Sequence, residues 1–191
     1  MAGPTEDSLQ GKLLVAMPGM GDPRFEHSVI MMCAHDAEHA MGLIVNKPQD
    51  ALTLGEVLEH LGIEVGQDIA PRAVMNGGPV RPDRGYVLHS EDFSADDDAT
   101  QSVTPGIRMT ATRDVLEALG GEAPPEHFVL ALGCAGWGAG QLEDELRSNA
   151  WLIVDAEDAI IFDENHDDKW LRAIAKLGLT PSQLSGAAGW A

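Results

Sequence analysis

Cys134 is the side chain in this sequence with the strongest claim to chemistry. It follows the apolar run His127–Leu132 and precedes a glycine-rich stretch and a helical pattern. A strand–turn–helix layout of that kind presents a nucleophile at a sheet edge. A helix start lowers a thiol's pKa, but Glu143, Asp144 and Glu145 stand in the first turn of this one and oppose the effect. His35 and His89 are the imidazoles available as bases, and nothing in the order of the chain brings either to Cys134. The alternative for Cys134 is a small buried apolar residue, a common fate of free cysteine. Cys33, inside Met31–Cys33, reads as plain core.

Two strings suggest metals. His35, Glu38 and His39 match the H-x-x-E-H pattern of inverted zinc peptidases. That chemistry needs both imidazoles on one face of a helix. Here the string separates two strand-like runs and is too short for a helix with turns. Asp163–Asp168 resembles the opening of a calcium loop, which requires Gly at position six and Glu at position twelve. This chain has Asp168 and Ile174 there, so the acids read as loop charge and a helix cap. No metal and no cofactor is expected. Gly19–Gly21 and Gly136–Gly140 lack the spacing and the Lys–Ser/Thr pair of phosphate-binding loops.

Asn46, Lys47 and Pro48 stand where a strand exits into a turn. Asn46 can hold the turn through its side chain, and Lys47 can meet an anion. Asn76, Gly77 and Gly78 form a second tight turn, and Trp137 sits within the glycine-rich stretch after Cys134. With Asn46 and Lys47, these residues are the candidate ligand-binding positions, and Cys134 is the catalytic candidate. Glycine and proline concentrate where a backbone turns sharply or another chain or ligand approaches closely. At least three of the segments Met17–Gly21, Asn46–Pro48, Asn76–Pro79 and Gly133–Gly138 are therefore expected to converge on one concave patch, with Cys134 at or just beneath its floor.

The positioning elements follow from periodicity. Lys12–Ala16, Ser28–Ala34 and Ala40–Val45 read as strands, the last two joined by a short hairpin loop. Thr53 and Glu56 form a capping box for a helix carrying Leu54, Val57, Leu58 and Leu61. Arg72–Asn76, Gly85–His89, Thr100–Thr110 (broken at Pro105–Gly106) and His127–Leu132 read as further strands, as do Trp151–Val154 and Ala159–Phe162. Further helices are expected over Arg113–Leu119, from about Ala139 to Arg147, around Trp170–Leu177 behind Asp167 or Asp168, and after Thr180 with Pro181 at its first position and Gln183 at its third. The acidic loop Glu91–Asp98 reads as solvated. Strands outnumber helices and regular βαβ alternation is absent, which selects α+β.

The 191 residues carry 12 Lys and Arg against 31 Asp and Glu, a formal charge of −19. That balance opposes direct nucleic-acid binding and adhesion to anionic membranes. No apolar run approaches the length of a membrane span, Met1–Gln10 shows no secretory pattern, and two distant cysteines do not make a disulfide scaffold. A cytoplasmic protein with reduced thiols is expected.

Several segments together resemble the bacterial YqgE/AlgH family. They are Gly11–Phe25 (GKLLVAMPGMGDPRF), Ala40–Pro48 (AMGLIVNKP), Gly77–Val80 (GGPV), Gly85–Ser90 (GYVLHS) and Leu132–Glu143 (LGCAGWGAGQLE). The likeness runs in order from about Leu9 to the C-terminus. It implies an α+β fold with a bent, mixed, largely antiparallel sheet forming a pseudo-barrel with four to five helices around it. It also implies a cytosolic protein without an established activity, and the AlgH name carries a link to regulation of alginate production. Two departures stand out. His39 occupies a hairpin loop where members often carry a small or polar residue, and the chain ends Gly189–Ala191 with Trp190 where members often have histidine. The reading is a single domain over 1–191 with residues 1–8 as a flexible tail. It acts as a non-catalytic binding or regulatory protein on a protein or small-molecule partner. The alternative is a thiol-dependent enzyme or redox sensor centred on Cys134.

Overall fold

The N-terminal apolar runs become neighbouring antiparallel strands. In the computed structural model, which describes residues 7–95 and 98–187, β1 (Lys12–Ala16), β2 (Val29–His35) and β3 (His39–Ile44) pair in chain order. Leu13, Val15, Val29 and Met31 enter one core cluster, and Leu14, Ala16, Ile30 and Met32 enter another on the opposite face. Burial on both faces explains why these strands read as continuous apolar runs rather than alternating ones.

The remaining strands are β4 (Pro48–Thr53), β5 (Ala73–Asn76), β6 (Val80–Ser90), β7 (Thr100–Thr104), β8 (Ile107–Thr110), β9 (Phe128–Gly138) and β10 (Trp151–Asp155). The sheet runs β10-β1-β2-β3-β9-β6-β8-β7, with β5 joined to β9 in parallel and β4 joined to β5. The other pairings are antiparallel. The sheet curls into a half-barrel, so that β7 returns towards β2. A bulge on β2 between Met32 and Ala34 marks the meeting point. There the Gln101 amide donates to Cys33 O at 2.7 Å, and Gln10 donates to Ser102 O at 3.1 Å. Side chains thus replace a ladder across the seam.

Six helices are present among the described residues. α1 (Leu54–His60) and α2 (Arg113–Gly120) cover the β6–β9 face through Leu54, Leu58, Val115 and Leu119. α3 (Gln141–Arg147) follows β9, α5 (Lys169–Ala175) packs on β1 and β2, and α4 (Asp158–Ile161) and α6 (Pro181–Ala187) complete the set. The α1 capping box forms in both directions. Thr180 and Gln183 bond reciprocally at the start of α6. None of the helices among the described residues is long and apolar enough to cross a membrane.

Three local expectations change. Ala159–Phe162 was expected as a strand and is the one-turn α4, because Ile160, Ile161 and Phe162 all turn into the core, and a short apolar run has no period to distinguish the two. The glycine-rich stretch after Cys134 continues β9 to Gly138 rather than turning. The helix count among the described residues is six, where four to five were expected. β4 went unnoticed because it is largely exposed and polar, with Ala51 in a left-handed conformation. Residues 1–6 of the expected tail, Asp96 and Asp97 of the acidic loop, and the Gly189–Ala191 terminus lie outside the described residues, whereas the Ser8 hydroxyl donates to His35 O.

Candidate functional site

Three of the four glycine- and proline-marked segments meet where β3, β5 and β9 run together. Asn76 N–H donates to Lys47 O at 2.7 Å, Gly77 N–H to Leu132 O at 2.8 Å, and Ile44 N–H to Gly77 O at 3.0 Å. The approach is closer than side chains permit. A Cβ on Gly77 would lie 2.2 Å from Gly133 O, and one on Gly78 2.2 Å from the Cys134 carbonyl carbon. Gly78 (φ 148°) and Gly133 (φ 76°) also hold backbone conformations that disfavour any other residue. At this junction backbone packs directly on backbone.

The candidate side chains around it are already engaged. Asn46 accepts from Val29 N–H and donates to His27 O, both at 2.8 Å. Asn76 Oδ1 accepts from Gly78 N–H. Lys47 donates to Arg24 O, which links this junction to the loop after Met17–Gly21, and its burial lowers its pKa against the pull of Glu26 and Asp22. The Trp137 and Trp151 indoles both donate to Glu145 Oε2, at 2.9 and 2.8 Å. Beneath the turn, the Lys169 ammonium is fully buried and donates to Val45 O and Ile161 O, each at 2.9 Å.

Cys134 lies in the same core cluster as Cys33, and both are buried and free. Its Sγ is 3.9 Å from the Tyr86 hydroxyl. Burial pushes the Cys33 thiol pKa well above its ordinary value, with a smaller contribution from Cys134. The two histidines considered as bases are occupied elsewhere. His35 Nδ1 accepts from Leu9 N–H and its Nε2 donates to Glu143 Oε1 at 2.8 Å. His89 is buried between Thr110 Oγ1 and Ser90 O, and burial lowers its pKa. His35 and His39 end and begin β2 and β3, across the hairpin, and His39 pairs with Asp36. Among the described residues, no three metal-binding side chains cluster.

A real hollow lies elsewhere, between α1 and α2 over the outer face of β6 and β9. It measures about 550 Å³. Its origin is a surplus of apolar positions on the two helices. The core takes Leu54, Leu58, Val115 and Leu119, while Val57, Leu61 and Leu116 remain partly or largely uncovered and form the walls. Leu130 and Leu132 form the floor together with Gly85. A Cβ on Gly85 would sit at ordinary contact distance, 3.6 Å from Leu130 Cδ1 and 3.8 Å from Leu132 Cδ2. The glycine therefore keeps the floor open without being required by backbone geometry. Glu56, His60 and Asp83 stand at the rim.

The comparisons with known proteins bear on the whole chain. The AlgH-like family model matches residues 13–182. The chain belongs to the AlgH-like family. A UPF0301 protein of Caulobacter vibrioides is 52% identical over 182 residues, covering 95% of this chain and 93% of that one. A UPF0301 protein of Bradyrhizobium diazoefficiens is 47% identical over 190 residues, covering 96% and 88%. The solution structure of the AlgH protein from Pseudomonas aeruginosa matches with a TM-score of 0.78 at 38% identity, covering 97% of each chain. A Corynebacterium diphtheriae protein, 19% identical, shares the fold with a TM-score of 0.72 over 96% and 94% of the two chains. The family's bent α+β sheet is thus the architecture found here.

Sequence reasoning passed over the cleft. Val57 and Leu61 enter the sequence reading only as apolar positions of the capped helix. Leu54, Val57, Leu58 and Leu61 have the spacing of a single buried stripe, so no signal in the sequence shows that Val57 and Leu61 stay partly uncovered.

Proposed function

We propose that this AlgH-like chain is a non-catalytic binding protein of the cytoplasm, with a regulatory role exerted through its ligand, and that it takes that ligand in the cleft between α1 and α2. The observation that carries this reading is the hollow of about 550 Å³ with apolar walls and a few polar groups at its rim, which matches the size and lining of small-ligand and side-chain pockets. The burial of Cys134 and the engagement of His35 and His89 with other groups favour binding over thiol chemistry. Two buried free cysteines suit a reducing compartment.

Titration of the isotopically labelled chain with 1-octanol tests the cleft. Amide resonances of Val57, Leu61, Gly85 and Leu116 are expected to move together. Gly85→Val, which projects methyl groups from the floor, is expected to abolish the response while preserving the fold. Shifts confined to other regions, or a response unchanged in Gly85→Val, would remove the cleft from consideration.

A further inference from the structure

We infer that the cleft receives a short basic peptide segment of a partner protein, with two apolar side chains seated in it and a lysine or arginine held against Glu56 and Asp83. This rests on the cleft being the binding site, and it adds the chemical class of the occupant.

The shape argues for a chain rather than a compact molecule. A second hollow of about 170 Å³ adjoins the first and shares Leu61, Gly85 and Leu116 with it. It extends towards Val87, Thr110 and Val115. Two unequal sockets in series fit two side chains projecting from one backbone, in the manner of anchors laid into a groove. A single compact ligand of the size of the larger hollow leaves the smaller one empty.

The charge argues for a basic segment. Glu56 closes the α1 capping box with Oε2 alone, accepting from Thr53 N–H at 2.8 Å and from the Thr53 hydroxyl at 3.0 Å. Its other carboxylate oxygen takes no part in that cap. Asp83 is exposed at the rim on β6. Glu59 and Glu64 continue the acidic surface into a broader hollow of about 860 Å³ on the far side of α1. Two arginines stand near this rim, one of them, Arg113, in the lining of the smaller hollow. Arg113 is bonded to Glu117 at 2.8 Å and to Leu61 O at 2.9 Å. The strand pleat sends Arg84 to the opposite face, where its guanidinium lies 5.4 Å from the centre of the Tyr86 ring. Among the described residues, the larger hollow is lined by no lysine or arginine, and a cation finds two carboxylates there. The net charge of −19 also accelerates the approach of a basic partner.

The test uses the full chain and three probes observed by the same amide resonances: a blocked leucine–lysine peptide carrying two leucines, its leucine–glutamate counterpart, and octylammonium. The leucine–lysine peptide is expected to move Val57, Leu61, Gly85 and Leu116. Its binding should weaken about tenfold in the Glu56→Gln/Asp83→Asn double variant, and weaken further with salt. Glutamine at position 56 retains an acceptor for the capping box, so the fold is expected to survive. Asp83→Asn alone supplies a folded variant with a smaller loss if it does not. The leucine–glutamate peptide should bind at least about tenfold more weakly. Equal binding of the two peptides would overturn the inference. So would octylammonium occupying the cleft while neither peptide does, which would leave a small-ligand pocket and keep the binding reading intact. If octanol, octylammonium and both peptides all leave the cleft resonances unmoved, the binding reading falls with it.

Discussion

Replacing Lys169 with methionine should change how stability depends on pH, in a direction fixed by the structure. Burial lowers the Lys169 pKa from 10.5 to about 7, and the nearby Asp163 carboxylate only partly counters this. A displacement of about 3.5 pKa units corresponds to about 5 kcal/mol of differential cost for the charged form. Below pH 7 both the folded and the unfolded chain hold the proton, and the folded state bears that whole cost. Between pH 7 and pH 10.5 the unfolded chain binds the extra proton, so folding becomes more favourable as pH rises. The gain from pH 7 to pH 9 is about 2 kcal/mol. Lys169→Met preserves most of the volume but strips the donor from Val45 O and Ile161 O, at about 1–3 kcal/mol for each orphaned carbonyl regardless of pH. Absolute stability therefore does not discriminate, and the slope does. Ionisation of the two thiols in the unfolded chain opposes the trend at alkaline pH, but it is common to both proteins and cancels in their difference. Urea unfolding at pH 7, 8 and 9 supplies the measurement. Wild type should gain about 2 kcal/mol relative to Lys169→Met across that range. Parallel pH profiles would refute the reasoning, showing that Lys169 keeps its ordinary affinity for protons despite its burial.

Two further predictions concern the glycine junction. Gly78→Ala should destabilise the chain by about 3 kcal/mol or more, because the added methyl meets main-chain atoms of Cys134 that cannot move aside. Gly85→Ala should stay within about 1 kcal/mol of wild type, and comparable urea midpoints for the two variants would disprove the close packing. In a Cys33→Ala background, Cys134 should react with an aromatic disulfide reagent about a thousandfold or more slower in the native chain than in urea, since exposure requires an opening costing several kcal/mol. Fast native reaction at neutral pH would instead return Cys134 to the position of an available nucleophile.

Much of the fold was legible because its signals are local. Thr53 and Glu56 announce α1, the His35–His39 interval announces a hairpin, and Pro105–Gly106 separates β7 from β8. The misreadings fall where a distant partner decides. α4 forms where Ile161 O receives the Lys169 ammonium, and no pattern within Ala159–Phe162 records that bond. β9 continues through its glycines, with Gly133 left-handed, and the Gly77–Gly78 turn lies against it at main-chain contact. The glycines mark close approach, but whether a ligand or the chain's own backbone approaches is settled only by tertiary structure.

The same distinction separates the two candidate sites. Polar residues in tight turns attract notice in a sequence because they are capable of binding. In the folded chain Asn46 and Trp137 spend that capacity on His27, Val29 and Glu145, and Asn76 spends its carbonyl oxygen on Gly78. Withdrawing any of them for a ligand would orphan a partner group, at a cost that the ligand would have to exceed before binding at all. Val57, Leu61 and Leu116 impose no such cost. Their apolar surface is left over after the core is complete, and covering it releases water without breaking an internal bond. An acidic rim that keeps one oxygen of Glu56 out of the helix cap adds selectivity at equally small internal expense. The surplus on α1 and α2, rather than the conspicuous turn residues, is where this fold can gain free energy from a partner.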